Sequence, residues 1–189
     1  MTNALLVIDV QQGLCEGEGA AFDCSGTIRR INHVTQKARA AGAPVIFVQH
    51  EELRQGDLEH GSAAWQLANG LDVAPGDLKL RKTTPDSFLR TDLEAMLRGL
   101  GVHEVIICGM HTEFCVDTTA RKALALGFPV VLVSDAHTSA GNAAISPQQV
   151  IAHHNATLTN IASFGPRVRA VPCEAIEIVG AVDAGRNAG

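Results

Sequence analysis

The chain has 189 residues, 46% of them apolar and 19% charged, the ordinary balance of one globular domain with a full core. A formal net charge of −5 leaves no basic footprint for nucleic acid or an anionic membrane surface. The apolar runs are far shorter than a membrane span, and the five cysteines, odd in number and without a C-x-x-C pair, argue against a disulfide framework or a zinc ribbon.

Ala4 to Ile8 is an unbroken apolar run closed by Asp9, the pattern of a strand buried on both faces. Met-Thr-Asn leads straight into it with no basic n-region, so a cytoplasmic location is expected. Cys15 and Cys24 fall in the following loop and read as incidental, with a place in a pocket wall left open for either. Ser25 is placed to cap a helix whose inner face is Ile28, Ile31, Val34, Ala38 and Ala41, and Gly42 stops it. Pro44 to Gln49 is the second strand. Residues 50–77 are Gly-rich and weakly patterned, with a short helix expected around Trp65; loops of that length in compact domains often carry function.

Leu78 to Lys82 is a short third strand. A helix follows with Leu93, Met96, Leu97 and Leu100 inward and Thr91 and Glu94 as a capping box. Strand four, Val102 to Gly109, leads through a tight turn to a helix with Cys115 in its first turn and Val116, Ala120, Ala123 and Leu124 inward, ended by Gly127. Strand five is Val130 to Ser134. Ser146, Pro147 and Gln149 open a last long helix with cap, N1 proline and box. Val168 to Val171 is strand six. A single domain over 1–182 with a frayed tail at 183–189 is expected.

Strands alternating with helices predict a three-layer, Rossmann-like, doubly wound α/β fold: a parallel six-stranded sheet in the order 3-2-1-4-5-6 with helices on both faces. Ligands of such sheets bind past the carboxyl ends of the strands where the order reverses. Asp9 at the end of strand one and the Cys115 turn after strand four meet at that switch.

A first-turn thiol is pushed toward thiolate by unpaired N–H groups and the helix dipole, and the same N–H groups suit an oxyanion. Asp9 after five apolar residues sits where burial disfavours its charge, which suits a general base; a strand-end cap is the plainer reading. Lys82 lies in the apolar phase with Leu78 and Leu80, so it either snorkels or points into a site, where its charge would steady Asp9 and a thiolate. Its reach from strand three is the longest geometric step. Cys108 reads as a small core hydrophobe, and Glu113 as a surface residue favoured by the dipole. His50, beside Glu51 and Glu52, is a hydrogen-bonded loop histidine before it is a metal ligand. His60, His153 and His154 show no metal spacing, and no Walker or G-x-G-x-x-G run supports a nucleotide.

Three segments, L-L-V-I-D-V-Q around Asp9, R-K-T-T-P-D-S-F around Lys82 and C-G-M-H-T-E-F-C-V-D-T-T-A around Cys115, occur in order on the expected elements. In them the chain resembles the isochorismatase-like cysteine hydrolases, a family that includes nicotinamidases, N-carbamoylsarcosine amidohydrolases and amidases of unassigned substrate. The resemblance implies a catalytic triad of Asp9, Lys82 and Cys115. It implies a cis peptide between Met110 and His111, an oxyanion hole from the His111 and Cys115 N–H groups, and a homo-oligomer, dimer or tetramer. The Asp-x-His of metal-binding nicotinamidases is replaced here by Val-Gln-His-Glu-Glu, so neither metal nor cofactor is expected. Leu14, Trp65, Phe88 and His111 are candidate substrate-binding walls, with ordinary packing the competing reading for Trp65 and Phe88. The implied activity is hydrolysis of a C–N bond in a small amide or ureido compound. The alternatives are vinyl ether hydrolysis with Asp9 as acid, and a non-catalytic thiol-based metabolite or redox sensor.

Overall fold

The computed structural model describes residues 2–52 and 56–180; the expected frayed tail at 183–189 lies outside them. Strands β1 (Thr2–Ile8), β2 (Val45–His50), β3 (Leu78–Lys82), β4 (Val102–Met110), β5 (Val130–Thr138) and β6 (Val168–Val171) form one parallel sheet in the order β3-β2-β1-β4-β5-β6. The helices are α1 (Gln12–Cys15), α2 (Cys24–Ala40), α3 (Leu93–Gly99), α4 (Asp117–Ala125) and α5 (Pro147–Asn160). No helix among the described residues is long and apolar enough to cross a membrane.

Continuous apolar runs in the central strands supply both faces of the sheet. Leu6, Ile8, Ile46, Val48, Val105 and Ile107 pack with Leu93 and Leu97 of α3, Ala120 and Leu124 of α4 and Leu158 of α5. Leu5, Val7, Phe47, Ile106 and Val131 pack on the other face with Ile28, Ile31 and Val34 of α2 and with Cys173 and Ile176. The result is three layers, and the strand ends open on the edge between them.

Several local expectations give way to tertiary contacts. The chain enters α2 through Asp23 in the left-handed region (φ 46°), and the Asp23 carboxylate pairs with Arg30 at 2.9 Å; Ser25 therefore lies inside the first turn and caps nothing. Thr91 does not box α3, because its hydroxyl donates to the Ser87 carbonyl at 2.6 Å and Glu94 pairs with Arg98. Leu100 falls past the end of α3 and is exposed. No helix forms around Trp65: Gln11 and Gln49 donate to its carbonyl at 2.9 and 3.0 Å, taking the acceptor a helix would use. Cys15 and Cys24 pair as a disulfide joining α1 to the start of α2, so they are not incidental. The α5 capping box forms as read, with Ser146 Oγ accepting from the Gln149 N–H and Gln149 accepting from the Ser146 N–H.

Two features shape the site. Gly109 (φ 118°) faces Ile8 across the β1–β4 ladder, and a Cβ there would land on the Ile8 carbonyl oxygen. Strand β5 runs four residues beyond the expected end at Ser134, because an irregularity in its pairing with β4 brings His137 opposite Gly109.

Candidate active site

Asp9 follows the last residue of β1 in the left-handed region (φ 51°), a conformation that non-glycine residues rarely adopt outside functional turns. Its N–H donates to the Val48 carbonyl and its carbonyl accepts from the Gln11 N–H, both at 2.9 Å, so the backbone is held while the side chain turns over the sheet edge. Lys82 is the last residue of β3, in register with His50. Its side chain crosses the end of β2 and reaches Asp9 Oδ2 at 2.6 Å with no exposed surface of its own. The Lys82 ammonium also donates to the Thr84 carbonyl at 3.1 Å and to Cys115 Sγ at 3.3 Å, which uses its three protons. Three acceptors make a fully buried ammonium tolerable. The three sequence-distant groups thus meet in one place. His50 joins them, with Nδ1 3.5 Å from Lys82 Nζ, and burial followed by the Lys82 charge lowers its pKa.

Cys115 is half-buried. It does not open an α-helix. After β4 the chain forms one π-turn, Thr112–Val116, with the Phe114 and Val116 N–H groups both donating to the His111 carbonyl at 3.1 and 3.2 Å. α4 begins only at Asp117. The expected push toward thiolate is absent for this reason and a larger one: burial, reinforced by the Asp9 charge, pushes the thiol up to about 12, and Lys82 only partly opposes it. The resting sulfur is a thiol. Asp9 Oδ1 is buried without a partner among the described residues.

The Met110–His111 peptide is cis. The Met110 side chain is buried in the α2 layer, while His111 Nε2 is buried without a partner among the described residues and its ring lies edge-on to Phe114. Burial lowers the pKa of His111, partly opposed by Glu113 and Asp9. Of the other candidate walls, Leu14 is half-buried against the α2 layer. Trp65 stands beside His60 with its indole N–H buried and unpartnered among the described residues. Phe88 is a correction: it stacks on Phe128 inside the α3–α4 core. Glu113 is a second, since the extended β5 brings Ser139 under the turn. Ser139 Oγ donates to Glu113 Oε1 at 2.7 Å, and Oε2 is buried.

Sequence reasoning passed over Thr112, His137 and Asn155, which form a hydrogen-bonded chain beneath the turn, buried at Thr112 and His137 and half-buried at Asn155. The one signal was a histidine in the apolar phase just past the expected strand end. Among the described residues no group of three or more His, Cys, Asp or Glu is placed to hold a metal.

The six-stranded parallel sheet with its switch point is a doubly wound α/β frame, and comparison with known proteins gives the family. The Isochorismatase domain family model matches residues 3–165, and the chain belongs to that family. It is 39% identical to a streptothricin hydrolase from Streptomyces noursei over 137 residues, covering 72% of this chain and 54% of that one. The chain thus spans about half the length of that relative. It is 29% identical to the ureidoacrylate amidohydrolase RutB of Caulobacter segnis over 199 residues, covering 86% of this chain and 80% of that one. A crystal structure of an isochorismatase family protein superposes with a TM-score of 0.80 at 34% identity, covering 89% of this chain and 98% of that one.

Proposed function

We propose that this chain hydrolyses a C–N bond of a small amide or ureido compound through a thioester on Cys115. The observation that carries the reading is the meeting of Asp9, Lys82 and Cys115, at 2.6 Å and 3.3 Å from the shared ammonium. Relatives named as a streptothricin hydrolase and a ureidoacrylate amidohydrolase favour C–N over ether cleavage.

A thiol with so high a pKa attacks only if its proton leaves in the same step, so Asp9 takes it as sulfur bonds to the carbonyl carbon. Lys82 balances the charge as it leaves the carboxylate and passes by way of sulfur to the carbonyl oxygen. The carbonyl oxygen becomes anionic on the His111 and Cys115 N–H groups. The C–N bond then breaks, the electron pair stays on nitrogen, and Asp9 returns the proton to the leaving amine or ammonia. Water, deprotonated by Asp9, adds to the thioester and releases the acid and the thiol.

The test is a screen of primary amides and ureido compounds for ammonia release, followed by Cys115→Ala. Turnover should fall by about a thousandfold or more, with an acyl adduct on the Cys115 peptide of the wild type. Full turnover without sulfur would instead favour acid chemistry at Asp9.

A further inference from the structure

We infer that Thr112, His137 and Asn155 are positioning residues that hold the Cys115 turn in register with the Asp9–Lys82 pair. The three come from three elements: Thr112 opens the π-turn, His137 sits near the end of β5, and Asn155 lies in α5. Thr112 Oγ1 is 2.8 Å from His137 Nδ1, and His137 Nε2 is 3.1 Å from Asn155 Oδ1. Thr112 and His137 are 0% and 1% exposed, so water does not replace the bond between them, while Asn155 at the far end is half-buried.

The direction of each bond follows from the far end. Asn155 Nδ2 donates to the Ser134 carbonyl at 2.9 Å, so Asn155 Oδ1 faces His137 as an acceptor. His137 Nε2 therefore carries the hydrogen. Nδ1 is bare and accepts from the Thr112 hydroxyl. Only a neutral imidazole does both, and burial lowers the His137 pKa to about 4. The chain is fully satisfied and has a single direction, the condition under which a buried polar network specifies geometry.

The turn needs such a tie. Its two backbone bonds share the one His111 carbonyl, Val116 anchors its far end in the core, and isolated π geometry is rare. Thr112 is anchored to β5 and α5, and Glu113 to Ser139, so two successive residues fix the approach of Cys115 to Lys82. None of the three relay residues is within bonding distance of the sulfur among the hydrogen bonds of the described residues.

The relay deepens the proposed cysteine chemistry, and its test reads the thiol directly, so that its failure is distinct from failure of the hydrolase reading. The rate of iodoacetamide alkylation at Cys115 is measured by peptide mass for wild type, Thr112→Val, Thr112→Ser and His137→Leu, with thermal unfolding alongside. Thr112→Val and His137→Leu should react at least about threefold faster, because a turn released from the relay lets the sulfur move out of its buried place beside Asp9, the two influences that hold it protonated, while Thr112→Ser stays within that factor. Alkylation of Cys173, on the opposite face, serves as the control and should not change. A smaller rise or a slower rate in Thr112→Val overturns the relay whatever the unfolding temperature, and so does Thr112→Ser reacting as fast as Thr112→Val. Valine matches threonine in shape, so Thr112→Val decides alone if His137→Leu does not fold.

Discussion

At the scale of single residues, the Lys82–Asp9 pair sets both stability and reactivity. Both side chains are essentially unexposed, and removing one partner leaves a buried charge without compensation. Lys82→Met should lower the unfolding free energy by about 3–5 kcal/mol in urea titrations. Asp9→Ala combined with Lys82→Met should lose less than the sum of the single losses. The Cys115 thiol carries a prediction of its own. Its pKa lies near 12, so the thiolate fraction at neutral pH is very small and grows in proportion to hydroxide. Alkylation of Cys115 should rise about tenfold per pH unit from neutrality to about pH 9 without a plateau, measured by quenched-flow peptide mass. A plateau near neutrality would mean that Lys82 outweighs burial after all.

At the scale of elements, the close approach of β1 and β4 is what lets the site assemble. Gly109 occupies a backbone region that side chains rarely adopt, and a methyl group there meets the Ile8 backbone one residue before Asp9. Gly109→Ala should destabilise the fold by about 2–3 kcal/mol or more and speed alkylation of Cys115, since the turn is displaced from its buried place beside Asp9. Unfolding midpoint and Cys115 alkylation measured on the same sample check both effects. Element existence was legible from apolar runs and caps, as the Ser146 box and the exact span of β3 illustrate. Element ends were less legible. Ser25, Thr91 and Leu100 were misplaced because Arg30, Ser87 and the end of α3 redirect the local signals.

For the whole molecule, His137 ties β4, β5 and α5 together and makes the fold sensitive to acid. Its pKa falls from an ordinary 6.5 to about 4 through burial, with Asn155 partly opposing. Between those values the unfolded chain binds the proton and the folded chain does not. The contribution is therefore present above about pH 6.5 and is lost as pH falls toward 4. Its full size is about 3 kcal/mol. Urea titrations at about pH 7 and pH 4.5 should show a steeper loss for wild type than for His137→Gln.

The strand order and the pairing of Asp9 with the Cys115 turn follow from sequence, because a two-faced apolar strand and a helix at each crossover admit few parallel arrangements. Asp9, Lys82 and Cys115 stood out as candidates because each ends or follows a strand, but their grouping as a triad came from the resemblance carried by the three segments around them. Tertiary structure alone decided that Lys82 spans β2 to reach Asp9, that Cys15 meets Cys24, that Phe88 belongs to the core, and that Cys115 rests as a thiol in a π-turn. These depend on burial and on charges summed over neighbours distant in the chain, and local periodicity carries no record of either.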